Sequence, residues 1–184
     1  MHSDYKKELN KLVQKKKKEI PTSPSGPAIL KILEILESTP RELLLLANHF
    51  NDKSSQEPVI AGKRSFRETL IHLLNIETLN YTTIYPAYLL MKPEVYPLHA
   101  ERDISRLNLF LDFQLSELLL IFDMERKKTL CFFKTLTEND WTKELAEQNK
   151  ERNETIYWRA RGLSLHDYTH IHILQLQIER RTLP

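Results

Sequence analysis

The scarcity of glycine is the feature that most restricts how this chain folds. Glycine occurs three times in 184 residues, at Gly26, Gly62 and Gly162. Because glycine supplies the positive φ angles of tight turns, a chain with so little of it disfavours folds built from many hairpins. The same scarcity leaves no glycine-rich loop that could cradle a phosphate. The sequence therefore predicts an all-helical protein that binds no nucleotide through such a loop.

Charge and hydropathy indicate an ordinary soluble domain. The formal net charge is +2 with 41% apolar residues, so nothing in the balance favours a nucleic-acid or membrane partner. The longest apolar run, Leu43 to Ala47, is far too short to span a bilayer, and the N-terminus has no apolar signal segment. Cys131 is the single cysteine, which excludes an internal disulfide. We expect a cytoplasmic protein.

A proline-rich breaker over residues 21–27 divides the chain in two. Residues 1–26 are predicted to be a polar, lysine-rich N-terminal extension, and residues 27–184 the domain proper. The extension contains the lysine run 15–18 and enough apolar residues for a short amphipathic helix. We expect a solvated helix there, and an electrostatic patch for nucleic acid or anionic lipid is the alternative.

Periodicity and capping signals divide the domain into four main helices. Apolar spacing predicts a helix over 28–36, and Thr39 with Pro40 has the pattern of a restart that runs to about Phe50. Later helices are predicted over 103–136 and 153–181, with a polar loop over 142–152 between them.

The second main helix has the strongest start signal. Ser65 and Glu68 form the pattern of a capping box, in which each side chain satisfies the backbone N–H of the other residue. We expect this helix to end near Tyr85, before Pro86. Long helices joined by modest loops predict an antiparallel four-helix bundle with a short extra N-terminal helix.

Three histidines stand out among the seven. His166 and His170 lie four residues apart in a predicted helix, so their side chains differ by about 40° and share one face. His72 lies on a mostly apolar face of the second main helix, and inward histidines from two helices can meet in a bundle core. Hydrogen-bonded core histidines are the alternative. His2 and His99 are expected at the surface, and His172 points away from His170.

The motifs resemble those of the DinB/YfiT family. Residues 65–77 are similar to the family helix that opens with S-x-x-E and continues to a histidine. Residues 166–170, His-Asp-Tyr-Thr-His, resemble its H-D-x-x-H signature. The Thr39-Pro40 pair and Arg126 also fit, and the resemblance covers about residues 28–182. Ile173 departs from it, since the family commonly has glutamine there.

The resemblance implies a four-helix bundle, often dimeric, with a histidine triad that binds a divalent metal such as zinc, nickel, manganese or iron. By position the ligands carry over to His72, His166 and His170. Some family members resemble thiol S-transferases. We therefore expect a homodimer with a small-molecule partner, for which a low-molecular-weight thiol is one candidate.

Three imidazoles leave an open coordination position, which is typical of catalytic sites. Such an ion lowers the pKa of a bound water or thiol, so the sequence predicts hydrolysis or S-transfer. A non-catalytic dimeric bundle that acts as a binding or stress protein is the alternative. Glu68 and Asp167 are candidates to orient the rings. Four further polar residues are candidates for the pocket wall: Asn75, Tyr81, Arg126 and Tyr168. Gly162, in mid-helix, suggests close approach of a neighbour.

Overall fold

The computed structural model describes residues 2–182, and the side chains of residues 7–179. Its helices are α1 (His2–Glu19), α2 (Gly26–Ala47), α3 (Asp52–Ser55), α4 (Phe66–Leu79), α5 (Ile84–Leu89), α6 (Leu115–Thr135), α7 (Glu138–Trp141) and α8 (Ile156–Thr182). Its strands are β1 (Glu94–Val95), β2 (Glu144–Glu147) and β3 (Glu154–Thr155). Two 3₁₀ turns cover Asn80–Thr82 and Ile104–Leu107.

Four long helices, α2, α4, α6 and α8, form a bundle. Helix α2 packs against α6 and α8, and α4 packs against the same two helices. Of these four helices, α2 and α4 come first along the chain, and they therefore lie diagonally opposite each other in the bundle. The predicted fold class is confirmed. Within residues 2–182, no helix combines the length and apolar character needed to span a membrane.

Helix α2 is continuous through Pro40, so the prediction of a helix break and restart at Thr39 is wrong. Thr39 does not cap a new helix, because its hydroxyl donates 2.8 Å to the carbonyl of Ile35 one turn earlier. Pro40 has no N–H to donate, which deprives the Leu36 carbonyl of its helical partner. The Nη1 atom of Arg126 donates to that carbonyl instead, at 3.3 Å. A tertiary contact thus replaces the hydrogen bond that proline removes.

Helix α4 begins as predicted and ends earlier than predicted. The Ser65 hydroxyl accepts from the backbone N–H of Glu68 at 3.1 Å, and the Glu68 carboxylate accepts from the N–H of Ser65 at 2.7 Å. The helix ends at Leu79 rather than Tyr85. Pro86 does not end a helix either, because it lies in the first turn of α5, where no intrahelical N–H is needed.

Two stretches differ from the sequence prediction. Helix α6 starts at Leu115 rather than 103, because Asn108 adopts a left-handed backbone conformation and Gln114 with Glu117 forms a capping box. The polar segment 142–152, predicted as loop, contains β2. This strand pairs in parallel with β1 and antiparallel with β3. Such short strands carry too few residues for an alternating pattern to be recognised.

The N-terminal extension contributes a helix that contacts the bundle. Ile20 is fully buried, and the guanidinium of Arg161 on α8 donates to the carbonyls of Ile20 and Lys17. The hydroxyl of Tyr157 donates 2.6 Å to the carbonyl of Pro21. Residues 17–21 are therefore tied to α8 by their backbone carbonyls. His2, expected at the surface, lies outside the residues whose side chains are described.

The apolar core consists of two clusters with a polar layer between them. One cluster surrounds the first half of α8, and the other surrounds the second half of α8 with the first half of α4. Arg126, Glu77 and Asp167 occupy the intervening positions on α6, α4 and α8, and all three are buried. This layer fixes how α4 and α8 face one another, and hence where their histidines lie.

Candidate metal centre

Three imidazoles from two helices meet at one point. His72 on α4 faces His166 and His170 on α8, and the Nε2 atoms of His72 and His166 lie 2.9 Å apart. The ring centroids are separated by 4.9 Å, 4.8 Å and 4.4 Å for the three pairs. One ring nitrogen from each residue lies within 4.8 Å of the other two. The convergence predicted from the spacing is present in the structure.

Burial and mutual repulsion lower the pKa values of two of these rings, those of His72 and His170. Burial, followed by repulsion from a protonated His166 and from Arg64, lowers the pKa of His72 to about 4. Burial, followed by the charges that His166 and His72 would carry, lowers the pKa of His170 to about 3. Near neutral pH both rings therefore offer lone pairs rather than protons to a cation.

Glu101 belongs to the candidate site and was missed by reasoning from the sequence. Its carboxylate contacts Nδ1 of His72 and forms an ion pair with the guanidinium of Arg64 at 3.1 Å. The backbone N–H of Glu101 donates 3.1 Å to Nδ1 of His99, and the N–H of His99 donates 2.8 Å to Asp103. This turn holds the carboxylate against His72. Nothing in the proline-containing connection 91–103 signals the contact, because its partner lies about 30 residues away.

The carboxylate of Glu101 determines which nitrogen of His72 faces the other rings. A carboxylate at Nδ1 accepts the ring proton there, which leaves the Nε2 lone pair directed toward His166 and His170. Carboxylates that accept the far N–H of a metal-binding imidazole are a common means of fixing ring orientation. Glu101 therefore takes the orienting role for which Glu68 was a candidate, since Glu68 is engaged in the capping box.

Asp167 connects the histidine cluster to the buried polar layer. Its Oδ2 atom accepts from Nη1 of Arg126 at 2.5 Å, and its Oδ1 atom lies 3.9 Å from Nδ1 of His166. Neither Oδ1 of Asp167 nor Nδ1 of His166 has a hydrogen-bond partner among the described residues. Burial alone would raise the pKa of Asp167, but attraction to Arg126 outweighs it and lowers the pKa. A permanent carboxylate thus stands behind His166.

Arg126 is the centre of an ion cluster. Its Nε atom donates to Glu77 at 2.6 Å, and Glu77 also accepts from Thr129 at 2.7 Å and from Asn80 at 3.0 Å. Burial opposes the charge of Arg126, yet attraction to Asp167 and Glu77 prevails and raises its pKa. Arg126 is 1% exposed and does not line the cavity that opens beside His166, so its role at this site is structural rather than the expected one in the pocket wall.

Comparison with solved structures finds the same architecture in YfiT from Bacillus subtilis, described as a probable metal-dependent hydrolase with an unusual four-helix bundle topology. The TM-score is 0.74, and the alignment covers 87% of this chain and 91% of that chain at 17% sequence identity. The fold is that of YfiT. No protein-family profile matches the chain, and no curated protein matches it.

The likeness to YfiT confirms the predicted resemblance at the level of the fold. With 17% identity, it carries no assignment of metal or reaction to this chain. Those assignments depend on the side chains of the YfiT-like bundle described above. The residues that resembled the family motifs, His72 with His166 and His170, are also the residues that this bundle brings together.

The remaining site predictions have mixed outcomes. His99 is exposed, as expected, and its ring helps to position Glu101. His172 lies away from the cluster, with Nδ1 2.9 Å from the carbonyl of Tyr168. Neither Tyr168, which stacks on His172, nor the other three pocket-wall candidates line the cavity beside His166.

A cavity of about 310 Å³ opens beside His166, between α4, α5, β3 and α8. Gly162 lines it and is exposed. A Cβ atom added at Gly162 would meet nothing within 4 Å. The expectation that Gly162 allows close approach of a neighbour is therefore wrong. The glycine faces open space rather than another element.

Proposed function

We propose that this chain is a metal-dependent enzyme of the hydrolase type, with a divalent ion held by His72, His166 and His170. The observation that carries the proposal is the meeting of three imidazole nitrogens from α4 and α8. Two of these rings stay neutral far below neutral pH, so they present lone pairs at one point. The YfiT fold supports it, since that neighbour is described as a probable metal-dependent hydrolase.

The donor set fits an ion in two respects. Metal–nitrogen bonds of about 2.0–2.1 Å require two ligand nitrogens to lie within roughly 4.2 Å of each other. The 2.9 Å separation of the Nε2 atoms of His72 and His166 meets that limit. The third ring is close enough that rotation about its side-chain bonds brings it within reach, since all three nitrogens lie within 4.8 Å of one another.

The positions of the ring protons are the second way in which the donor set fits an ion. With Glu101 accepting from Nδ1 of His72, the Nε2 contact requires His166 to donate from its own Nε2. Nδ1 of His166 is then a bare acceptor that faces Oδ1 of Asp167, and this pair of buried acceptors is unfavourable. With its proton on Nδ1 instead, His166 faces a carboxylate and turns its Nε2 lone pair toward the other rings. A cation is what stabilises that arrangement.

A divalent ion at this site supplies Lewis-acid chemistry, which lowers the pKa of a water or thiol that it binds. The chain's own residues would hold the ion and orient the histidine rings. Glu101 keeps the proton of His72 on Nδ1, and Asp167 is placed to do the same for His166. The side chain of His166 is 29% exposed, so the site is open on one side to a substrate. Imidazole ligands suit zinc, nickel and iron alike, with manganese a further candidate.

The test is elemental analysis of untagged protein followed by assay. We expect about one divalent ion per chain, lost in His170→Ala and retained in His172→Ala. His172 is the matched control, because it is half-buried on the same helix and contacts the Tyr168 carbonyl rather than the cluster. Hydrolysis of a panel of activated esters and amides should follow metal content across these variants. Metal content of zero in the wild type would sink the proposal.

Two other outcomes remain distinguishable. Transfer of a low-molecular-weight thiol to an electrophilic acceptor, with loss of the acceptor's leaving group, would place the reaction in S-transfer rather than hydrolysis. A metal-loaded chain that turns over neither panel would indicate the alternative function, a non-catalytic bundle that serves as a binding module.

A further inference from the structure

The cavity beside His166 has the features of a ligand site. We propose that it binds a small organic carboxylate with an unbranched apolar body, the apolar part lying along α8 and the carboxylate lying at Arg159 and Lys150. That this ligand is also the substrate rests on the proposed function, whereas its binding does not. Four features of the cavity support this proposal, namely its two ends, its walls and Gly162.

One end of the cavity reaches the histidine cluster. His166 is the cluster member that lines the cavity, and its side chain is 29% exposed, whereas that of the adjacent Asp167 is 1% exposed. A molecule in the cavity therefore approaches the ring of His166 and not the buried ion cluster behind it. This end is where a reacting group would meet the proposed ion.

The wall between these ends is mainly apolar, with Asn80 and Thr83 as its polar members. Ile76 and Leu79 come from α4, Ile84 from α5, and Leu163 from α8. Trp158 adds an aromatic surface two turns before His166 on the same helix. Ligand sites of about 300 Å³ lined mainly by apolar groups, with a few polar groups at fixed points, are typical of small-molecule binding.

The far end carries charge, with the cations more accessible than the anions. Arg159 pairs with Glu147 and with Glu154, whose Oε2 lies 2.6 Å from Nε of Arg159. Lys150 pairs with the same two carboxylates at 3.1 Å and 3.0 Å. The side chains of Lys150 and Arg159 are 41% and 22% exposed, against 11% for Glu147 and 6% for Glu154.

This arrangement favours an anion over a cation. The two glutamates hold the basic groups in place from the buried side, and Glu147 does not line the cavity. A ligand at this end therefore meets two cations and one largely covered carboxylate. Guanidinium and ammonium groups bind carboxylates through charge-assisted hydrogen bonds, which are the stronger class.

Gly162 provides an independent observation. A glycine inside a helix costs roughly 1 kcal/mol relative to alanine, and no neighbour occupies the space where its Cβ would lie. Packing therefore does not account for the glycine. The absence of a side chain instead keeps the floor of the cavity open, one turn before His166.

The test uses hexanoate as the probe, with hexylamine as a cationic control and 1-hexanol as a neutral one. The protein is first stripped of metal with a chelator that is then dialysed away. Trp158 lies in the cavity wall, whereas the other tryptophan, Trp141, is 2% exposed. We expect hexanoate to change the tryptophan fluorescence with saturation, and both controls to bind at least about tenfold more weakly, as the loss of a charge-assisted hydrogen bond implies.

Two pairs of variants assign the site. Gly162→Leu fills the cavity without touching a charged group and should abolish saturation, while Gly162→Ala should keep most of it. Arg159→Gln should weaken hexanoate binding about tenfold or more. Arg152→Gln removes the same charge from a residue stacked on Trp158, 4.3 Å from its ring, that does not line the cavity. Its binding curve should keep the wild-type midpoint.

These binding experiments can succeed or fail independently of the proposed metal-dependent function. Saturable, carboxylate-selective binding that Gly162→Leu removes supports the inference whether or not the chain holds metal. Equal binding of hexanoate and hexylamine, a signal that never saturates, or an unchanged midpoint in Gly162→Leu would each overturn it. Should Gly162→Leu not fold by circular dichroism, the Arg159→Gln and Arg152→Gln pair decides in the same way.

Discussion

Two polar clusters lie side by side in this bundle, one fully buried and the other partly open, and they are completed in opposite ways. Both draw on α4 and α8, with His72, His166 and His170 in one and Glu77 and Asp167 in the other. The second cluster contains its own cation, Arg126, whose donors reach both carboxylates and the Leu36 carbonyl. In the histidine cluster the ring nitrogens converge on a common point, and the guanidinium of Arg64 pairs with Glu101 behind His72.

The difference separates an architectural cluster from the proposed metal site. Buried charges are tolerated when they are paired and hydrogen-bonded, and the Arg126 cluster meets that condition. In the histidine cluster, the pKa values of His72 and His170 are lowered so that both rings offer lone pairs, and carboxylates lie behind His72 and His166. Such an arrangement suits a divalent cation. Each prediction below tests one side of this contrast.

The largest expected effect concerns stability. Arg126→Met should lower the free energy of unfolding by about 3–5 kcal/mol, because Glu77 and Asp167 become buried charges without a partner. Urea unfolding followed by circular dichroism measures the change. Lys127→Met, the adjacent exposed residue on α6, is the control and should differ little from wild type. A loss below about 1 kcal/mol would show that the carboxylates do not depend on Arg126.

The next effect concerns metal affinity. Glu101→Gln should weaken divalent-metal binding by about 10–100-fold, because the proton on Nδ1 of His72 loses its carboxylate acceptor. Competition with a chromophoric chelator measures it, and the free energy of unfolding of the metal-free protein should stay within about 0.5 kcal/mol of wild type, since Glu101 is 40% exposed. Glu94→Gln is an exposed control in the same connection. Unchanged affinity in Glu101→Gln would remove Glu101 from the site.

A smaller effect is a pH dependence of stability in the metal-free protein. His72 and His170 have pKa values of about 4 and 3 when folded, against about 6.5 when unfolded. The unfolded chain therefore binds more protons below pH 6.5, and stability falls as the pH drops from 6.5 toward 4. Between pH 7.5 and 5.5 the loss should reach about 1 kcal/mol per ring.

His170→Gln should make that decline shallower, and urea midpoints at several pH values measure it. His172→Gln serves as the comparison. If the decline is equally steep in His170→Gln and in wild type, the ring of His170 does not stay neutral in the folded chain.

The smallest effect is at Gly162. Gly162→Ala should raise the free energy of unfolding by about 0.5–1 kcal/mol, because alanine favours the helix and no neighbour obstructs its methyl group. Thermal unfolding measures the gain. Destabilisation would mean that the cavity floor is less open than its geometry shows.

The sequence predicts local features better than tertiary ones. The Ser65–Glu68 capping box is local chemistry, and it forms as predicted. The four-residue spacing of His166 and His170 likewise fixes their shared face. The helix break at Thr39 was a wrong prediction because Arg126, 90 residues from Leu36, supplies the hydrogen bond that Pro40 cannot.

The rest of the site depends on contacts that no local pattern records. Glu101 reaches His72 from an irregular connection, and β3, the strand that lines the cavity, is two residues long. The sequence shows that Asp167 directly follows His166, but it gives no sign that Asp167 pairs with Arg126. The expected homodimer, thiol partner and cytoplasmic location stay predictions.

The placement of His166 and Asp167 as consecutive residues has a consequence for how such a protein can diversify. One peptide bond joins a residue of the histidine cluster to an anchor of the bundle, so α8 cannot slide or turn to suit a new substrate without breaking the central ion cluster. Variation that respects this coupling must come from the opposite wall, from α5 and the strands around residues 144–155. Lineages that share this bundle should therefore differ most along that rim while the helical half stays constant.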